Sequence, residues 1–102
     1  MEMYNPIHAG RALRLYMTDR ITVSALAKHL RMTRANLSMI LNGRLGVSAM
    51  VAIKLAEAFP KTDAQFWMNL QTQYDLARAR RKRRAKIRPI QTALKPALKK
   101  AA

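Results

Sequence analysis

The stretch "TRANLSMILNGR", residues 33 to 44, decides the fold. Thr33 stands as an N-cap before a short helical pattern, with Met32 ahead of it placed to staple against Leu37. At 100° per residue, Leu37, Ile40 and Leu41 fall on one side of this helix. Ala35, Ser38, Met39 and Asn42 fall on the other, and Arg34 flanks the N-terminal end. The inner side is a core stripe. The outer side is short at Ala35 and Ser38, so the helix can press close to another surface, and the major groove of B-DNA is wide enough to admit it. Asn42-Gly43 is the expected stop, with Gly43 able to take the left-handed conformation after the last turn.

The segment before it repeats the same arrangement. Thr22 reads as the N-cap of a helix from Val23 to Arg31, with Ile21 against Leu26 and with Leu26, Ala27 and Leu30 inward. A turn of about three residues at Arg31-Met32-Thr33 then gives the spacing of a helix-turn-helix, in which Ala27 lets the two axes approach. An ordinary antiparallel helix pair would show the same caps and stripes; the small outer face and the positive charge favour DNA.

Working outward, the pattern is helical nearly throughout. A first helix is expected from His8 to Met17, with Ala9, Leu13, Tyr16 and Met17 on one stripe. Ser48 opens a fourth, Ala49 to Phe59, whose apolar residues run most of the way round and predict burial inside the bundle, and Pro60 ends it. Thr62 opens a fifth through a Thr62-Asp63-Ala64-Gln65 capping box, followed by a stripe of Phe66, Trp67, Leu70, Tyr74 and Ala77. The expectation is an all-α, five-helix domain over residues 1–80. Beyond it, residues 81–102 form a basic tail, expected as a frayed helix or disordered because of like-charge repulsion.

Composition agrees with one small domain: 102 residues, half of them hydrophobic, and a formal net charge of +15. The charge is uneven, since residues 78–102 hold 11 Lys and Arg and no acid. Such a balance attracts polyanions, nucleic acid before an anionic membrane. The absence of Cys excludes disulfides and thiolate chemistry. Neither a signal peptide nor a spanning helix is readable, so a cytoplasmic protein with no membrane partner is expected. No cofactor motif or metal-ligand cluster is present, and His8 and His29 lie too far apart in sequence to suggest a catalytic pair. An enzyme is not expected.

Four segments resemble the HigA/VapI family of antitoxins and transcriptional regulators, within the phage-repressor-type helix-turn-helix proteins: "NPIHAGRALR" (5–14), "ALAKHLRMTRANLSMILNGR" (25–44), "VSAMVAIKLAEAF" (47–59) and "FWMNLQTQYDLARAR" (66–80). The last is the most specific. The chain departs from the family where His8-Ala9-Gly10-Arg11 replaces His-Pro-Gly-Glu, and where Arg31 replaces a turn glycine. A left-handed Arg31 would bear a strain of about 1 kcal/mol. The resemblance implies a phage-repressor-like fold and a homodimer on a palindromic operator in double-stranded DNA. It also implies autoregulation of a toxin–antitoxin operon and a HigB-type RNA-cleaving toxin as a partner, although such toxins are usually basic and +15 is an awkward match.

Arg34 is the leading base reader, since its fork pairs bidentately with guanine O6 and N7. Ala35 suits a thymine methyl, Ser38 a base donor or acceptor, Met39 a groove wall, and Asn36 the DNA backbone or nothing. The helix starts at Thr22 and Thr33 suit phosphates, with Lys28 a weaker phosphate contact. The resemblance places Asn42 and Arg44 on the DNA backbone; Trp67, Phe66 and Leu70 read as core, and with Gln71 and Tyr74 they are also the candidates for the two-fold interface that the resemblance implies on the fifth helix. The alternatives are a sequence-independent polycation acting through the tail, or a stand-alone regulator without a toxin.

Overall fold

In the computed structural model, residues 5–18 and 20–91 are described, and among them there are five helices and no strand. They are α1 (Ala9–Tyr16), α2 (Val23–His29), α3 (Arg34–Leu41), α4 (Ala49–Ala58) and α5 (Ala64–Arg80). Helices of seven to ten residues are marginal in isolation, so these rely on caps and on tertiary packing. Thr22, Thr33 and Ser48 each accept from the amide three residues on, as the sequence predicts.

The ends of α2 and α3 are built alike. Beyond α2, the Arg31 amide donates to the Lys28 carbonyl and the Met32 amide to that of Ala27; beyond α3, Gly43 and Arg44 donate to Ile40 and Met39. These paired bonds form a Schellman closure, whose pivotal residue is left-handed. That residue is Gly43 at φ 74° in one case and Arg31 at φ 57° in the other, so the turn is made by an arginine.

The core gathers Leu13 from α1, Leu26 and Leu30 from the end of α2, Leu37, Ile40 and Leu41 from α3, Leu55 from α4 and Trp67 from α5. Gly10 is the point of closest approach. A Cβ built there would lie 1.8 Å from the Ile40 carbonyl oxygen, so α1 can sit on α3 only without a side chain at this position. At the opposite end, Trp67 is fully buried against Tyr16, Phe59 and Phe66, with ring centroids 5.1 to 6.5 Å away. Its Nε1 donates to Thr62 Oγ1, which donates onward to the Phe59 carbonyl.

Several expectations need correction. Residue 8 lies outside α1 and caps it: His8 Nδ1 accepts from the Gly10 amide at 2.9 Å, and its ring meets Tyr74 edge-on. In α1, Ala12 also faces the core, and Tyr16 is 37% exposed while its ring packs on Phe59, Phe66 and Trp67. Thr62 does not cap α5, because its hydroxyl serves Trp67; Asp63 caps instead, accepting from the Phe66 amide at 2.7 Å. Gln65 turns to Asn69 rather than back to the cap. On α4 only Ala52 and Leu55 are fully buried, and Met50 and Ile53 are exposed, so that helix is an outer wall and not a central one. The first helix-turn-helix member ends at His29 rather than Arg31, and α5 stops at Arg80. After a turn at Arg81 and Lys82, residues 83–89 are exposed and have no regular structure. The expectation for residues 92–102 lies outside the described residues.

Three stability effects follow. Gly10→Ala should lower stability by about 3 kcal/mol, because the new methyl overlaps backbone that cannot give way, and thermal denaturation followed by circular dichroism reads the loss. Arg31→Gly should raise stability by about 1 kcal/mol, or about 4–8 °C in melting midpoint; no change would show that the arginine is unstrained. Burial pushes the His8 imidazole below its ordinary value of 6.5, an effect that Asp75 opposes and Arg78 reinforces. Below about pH 6.5 the unfolded chain therefore takes up a proton that the folded chain resists. Stability should be full above that pH and fall as the pH drops towards the lowered folded value. His8→Asn keeps an acceptor for Gly10, and melting curves between pH 5 and 7 should show that component of the slope gone.

Candidate nucleic-acid interface

The caps and closures just described hold α2 and α3 as a rigid pair with the outer face of α3 free. Arg34, Ala35, Asn36, Met39 and Asn42 are exposed along it, and Ser38 is half-buried. The first-turn amides of Arg34 and Ala35 have no acceptor within the helix, which makes this end electropositive. Arg34 stands at that end, and Arg44 lies just beyond the other, both exposed.

Along the pair's own stretch of sequence the charge has one sign, although Glu57 of α4 shares a concavity with His29 and Arg31. Residues 20–56 contain six Lys and Arg and no Asp or Glu. Lys28 and Arg31 on the α2 side and Arg34 and Arg44 on the α3 side are all exposed. Thr22 and Thr33 sit at the exposed starts of the two helices. The sequence-predicted DNA residues are thus brought to one continuous region, the helix-turn-helix and its two flanks.

Asn42 does not stand alone at the end of α3. Arg14, on α1, donates through Nε to the Leu41 carbonyl at 3.2 Å and through Nη2 to Asn42 Oδ1 at 2.9 Å. Arg11 lines the same concavity, of about 270 Å³, with Arg14, Leu41 and Asn42. Sequence reasoning missed these two arginines. Their only linear signal is a spacing of three on α1, and the contact spans 28 positions.

The fifth-helix residues divide. Trp67 is fully buried, and Gln71 is 5% exposed, with Oε1 accepting from the Val47 amide and Nε2 donating to Asp75. Both serve the protomer's interior. Phe66, Leu70 and Tyr74 are half-buried, and Leu76 is exposed. Among the described residues, no helix is long and apolar enough to cross a membrane, and no group of three or more His, Cys, Asp or Glu is placed to hold a metal ion.

Comparison with known proteins matches this arrangement. The helix-turn-helix family model covers residues 13–66. Virulence-associated protein A' of Dichelobacter nodosus is 40% identical over 89 residues, 86% of this chain and 77% of the relative. A Pseudomonas aeruginosa protein in complex with its 28-bp operator DNA has a TM-score of 0.67 at 43% identity, over 74% of this chain and 84% of that one. The Pseudomonas aeruginosa antitoxin HigA with the higBA promoter also has a TM-score of 0.67, at 33% identity over 96% of both chains. A capped helix pair with a small-residue outer face, inside a five-helix bundle shared almost end to end with such relatives, places the chain in the HigA/VapI family of helix-turn-helix regulators, which are DNA-binding proteins and not enzymes.

Proposed function

We propose that this chain is a sequence-specific repressor that lays α3 in the major groove of a palindromic operator as a homodimer. In this role it is the antitoxin of a HigBA-type module, acting in the cytoplasm on its own operon. The observation that carries the reading is the exposed outer face of α3, short at Ala35 and Ser38 and flanked by Arg34 and Arg44, in a chain whose relatives are held on operators. One such helix reads only a few base pairs. Two of them about 34 Å apart read a palindrome, and this is the physical reason for a dimer. Phe66, Leu70 and Tyr74 on α5 offer partly exposed apolar surface for it. The antitoxin role rests on the kinship with HigA and includes a HigB-type toxin as partner.

The basic arm adds a second, sequence-independent component. Arg83, Arg84, Lys86 and Arg88 are exposed along a segment without regular structure, and a polycation of this kind binds any nucleic acid by counterion release. It strengthens binding without choosing the site.

Selection of bound sequences from a random duplex pool at about physiological salt separates the two components. Full-length protein should yield a palindromic consensus. Arg34→Ala should lose information at one base pair per half-site, equivalent to about 1–3 kcal/mol of discrimination. A chain ending at residue 80 should keep the consensus while its salt dependence becomes shallower, by about 0.9 in log–log slope for each phosphate the arm had neutralised. A full-length protein that binds every duplex alike would leave only the polycation component.

A further inference from the structure

Two guanidiniums on α1 meet the end of α3. Arg11 and Arg14 are both exposed, three positions apart, and line the concavity of about 270 Å³ with Leu41 and Asn42. Arg14 is fixed there by its bonds to the Leu41 carbonyl and to Asn42 Oδ1. A guanidinium has five N–H donors, so this grip leaves Arg14 with others to give. Arg11 makes no hydrogen bond to another described residue. No Asp or Glu lines the concavity, and like charges at this helical spacing repel one another. The protein thus holds one cation rigidly beside a second that it leaves uncompensated. An anion that accepts from both would complete the arrangement.

We propose that Arg11 and Arg14 clasp one phosphodiester of the DNA strand that passes the C-terminal end of α3. Position argues for the DNA backbone over a free anion. The concavity is walled by Asn42, at the end of the outer face of α3, and exposed Arg44 follows two residues on. With α3 in the groove, one strand runs past the start of the helix at Thr33 and the other past its end. The clasp holds the second strand from outside the helix-turn-helix, and the two strands together set the depth of α3. Such a contact fixes register and carries no sequence information of its own. Arg14 also closes the exit of α3, so the side chain that holds the strand is the one that holds the helix. The inference rests on the operator-binding reading above and adds α1 to the surface that the operator touches.

The test uses the full chain and the operator recovered by selection, with single methylphosphonate linkages that each remove the charge of one phosphate, and reads affinity by fluorescence anisotropy. The unsubstituted protein should lose about tenfold at one linkage per half-site beside the end of α3. Arg11→Gln, an exposed change expected to leave the fold intact, should bind the unmodified operator about tenfold more weakly and lose nothing further at that linkage. Its consensus should be unchanged, and its salt slope shallower by about 0.9 per half-site. Arg14→Gln, first shown folded by thermal denaturation, should become insensitive at the same linkage. Arg11→Lys keeps the charge without the fork and should restore part of the loss. An Arg11→Gln protein with the methylphosphonate profile and salt slope of the unsubstituted chain would overturn the clasp, as would Arg11 and Arg14 variants insensitive at different linkages. Inorganic phosphate titrated into DNA-free protein, read by the arginine Nε–H resonances, covers the other source: tight binding there with an unchanged profile in Arg11→Gln would make this a free-anion site. A full-length protein that selects no consensus would end the operator reading and the inference with it, whereas a consensus with an unchanged profile would end the inference alone.

Discussion

The approach of α1 to α3 at Gly10 and Ile40 is the constraint on which the rest of the arrangement depends. With no side chain between them, the start of α1 rests directly on the backbone of the last turn of α3. That contact fixes the height of α1, and two neighbours follow from it. His8, just before α1, comes alongside Gly43, where a Cβ would meet its ring at 3.8 Å. Arg14, a little more than one turn on, comes within reach of Leu41 and Asn42. The exit of α3 is thus gripped from one side by a single neighbouring helix, and the grip exists because one residue lacks a Cβ.

Rigidity of this kind matters for reading bases. A helix of eight residues gains little from its own hydrogen bonds, and any fraying would be lost order to restore on binding. Here both ends of α3 are closed before any ligand arrives, by the Thr33 hydroxyl at one end and by the Schellman closure with Arg14 at the other. The left-handed Arg31 shows the opposing pressure. A glycine would make that turn with less strain, whereas the arginine keeps a positive charge on the exposed shoulder between the two helices.

Local features were legible in the sequence and distant ones were not. Thr22, Thr33 and Ser48 cap as expected because a cap needs only its own next three residues. The core faces of α2 and α3 follow from periodicity alone. The start of α5 was misplaced by one residue because Thr62 and Asp63 are both good caps, and the choice between them is made by the Trp67 indole, which takes the threonine hydroxyl. The burial of α4 was overestimated because an apolar circumference says what a helix tolerates, not how many neighbours the bundle supplies. Gln71 was expected at a two-fold interface and is interior to the chain, since its amide satisfies the Val47 backbone 24 positions away. Arg14 escaped notice for the same reason: its partners are assembled only by the close packing at Gly10. Of the candidate site, the outer face of α3 was therefore readable, and the machinery that orients it was not.

The buried indole has a practical side. Trp67 is the chain's one tryptophan, and it sits in a cage of rings, dry and hydrogen-bonded, where α1, α4 and α5 meet. It is therefore a native optical label, one whose emission colour follows the polarity of that cage and so the integrity of the bundle. Because it lies on α5 and not on α3, its light reports on the scaffold separately from events at the outer face of α3, and the molecule can be watched folding without a dye being attached to the surface proposed to enter a groove.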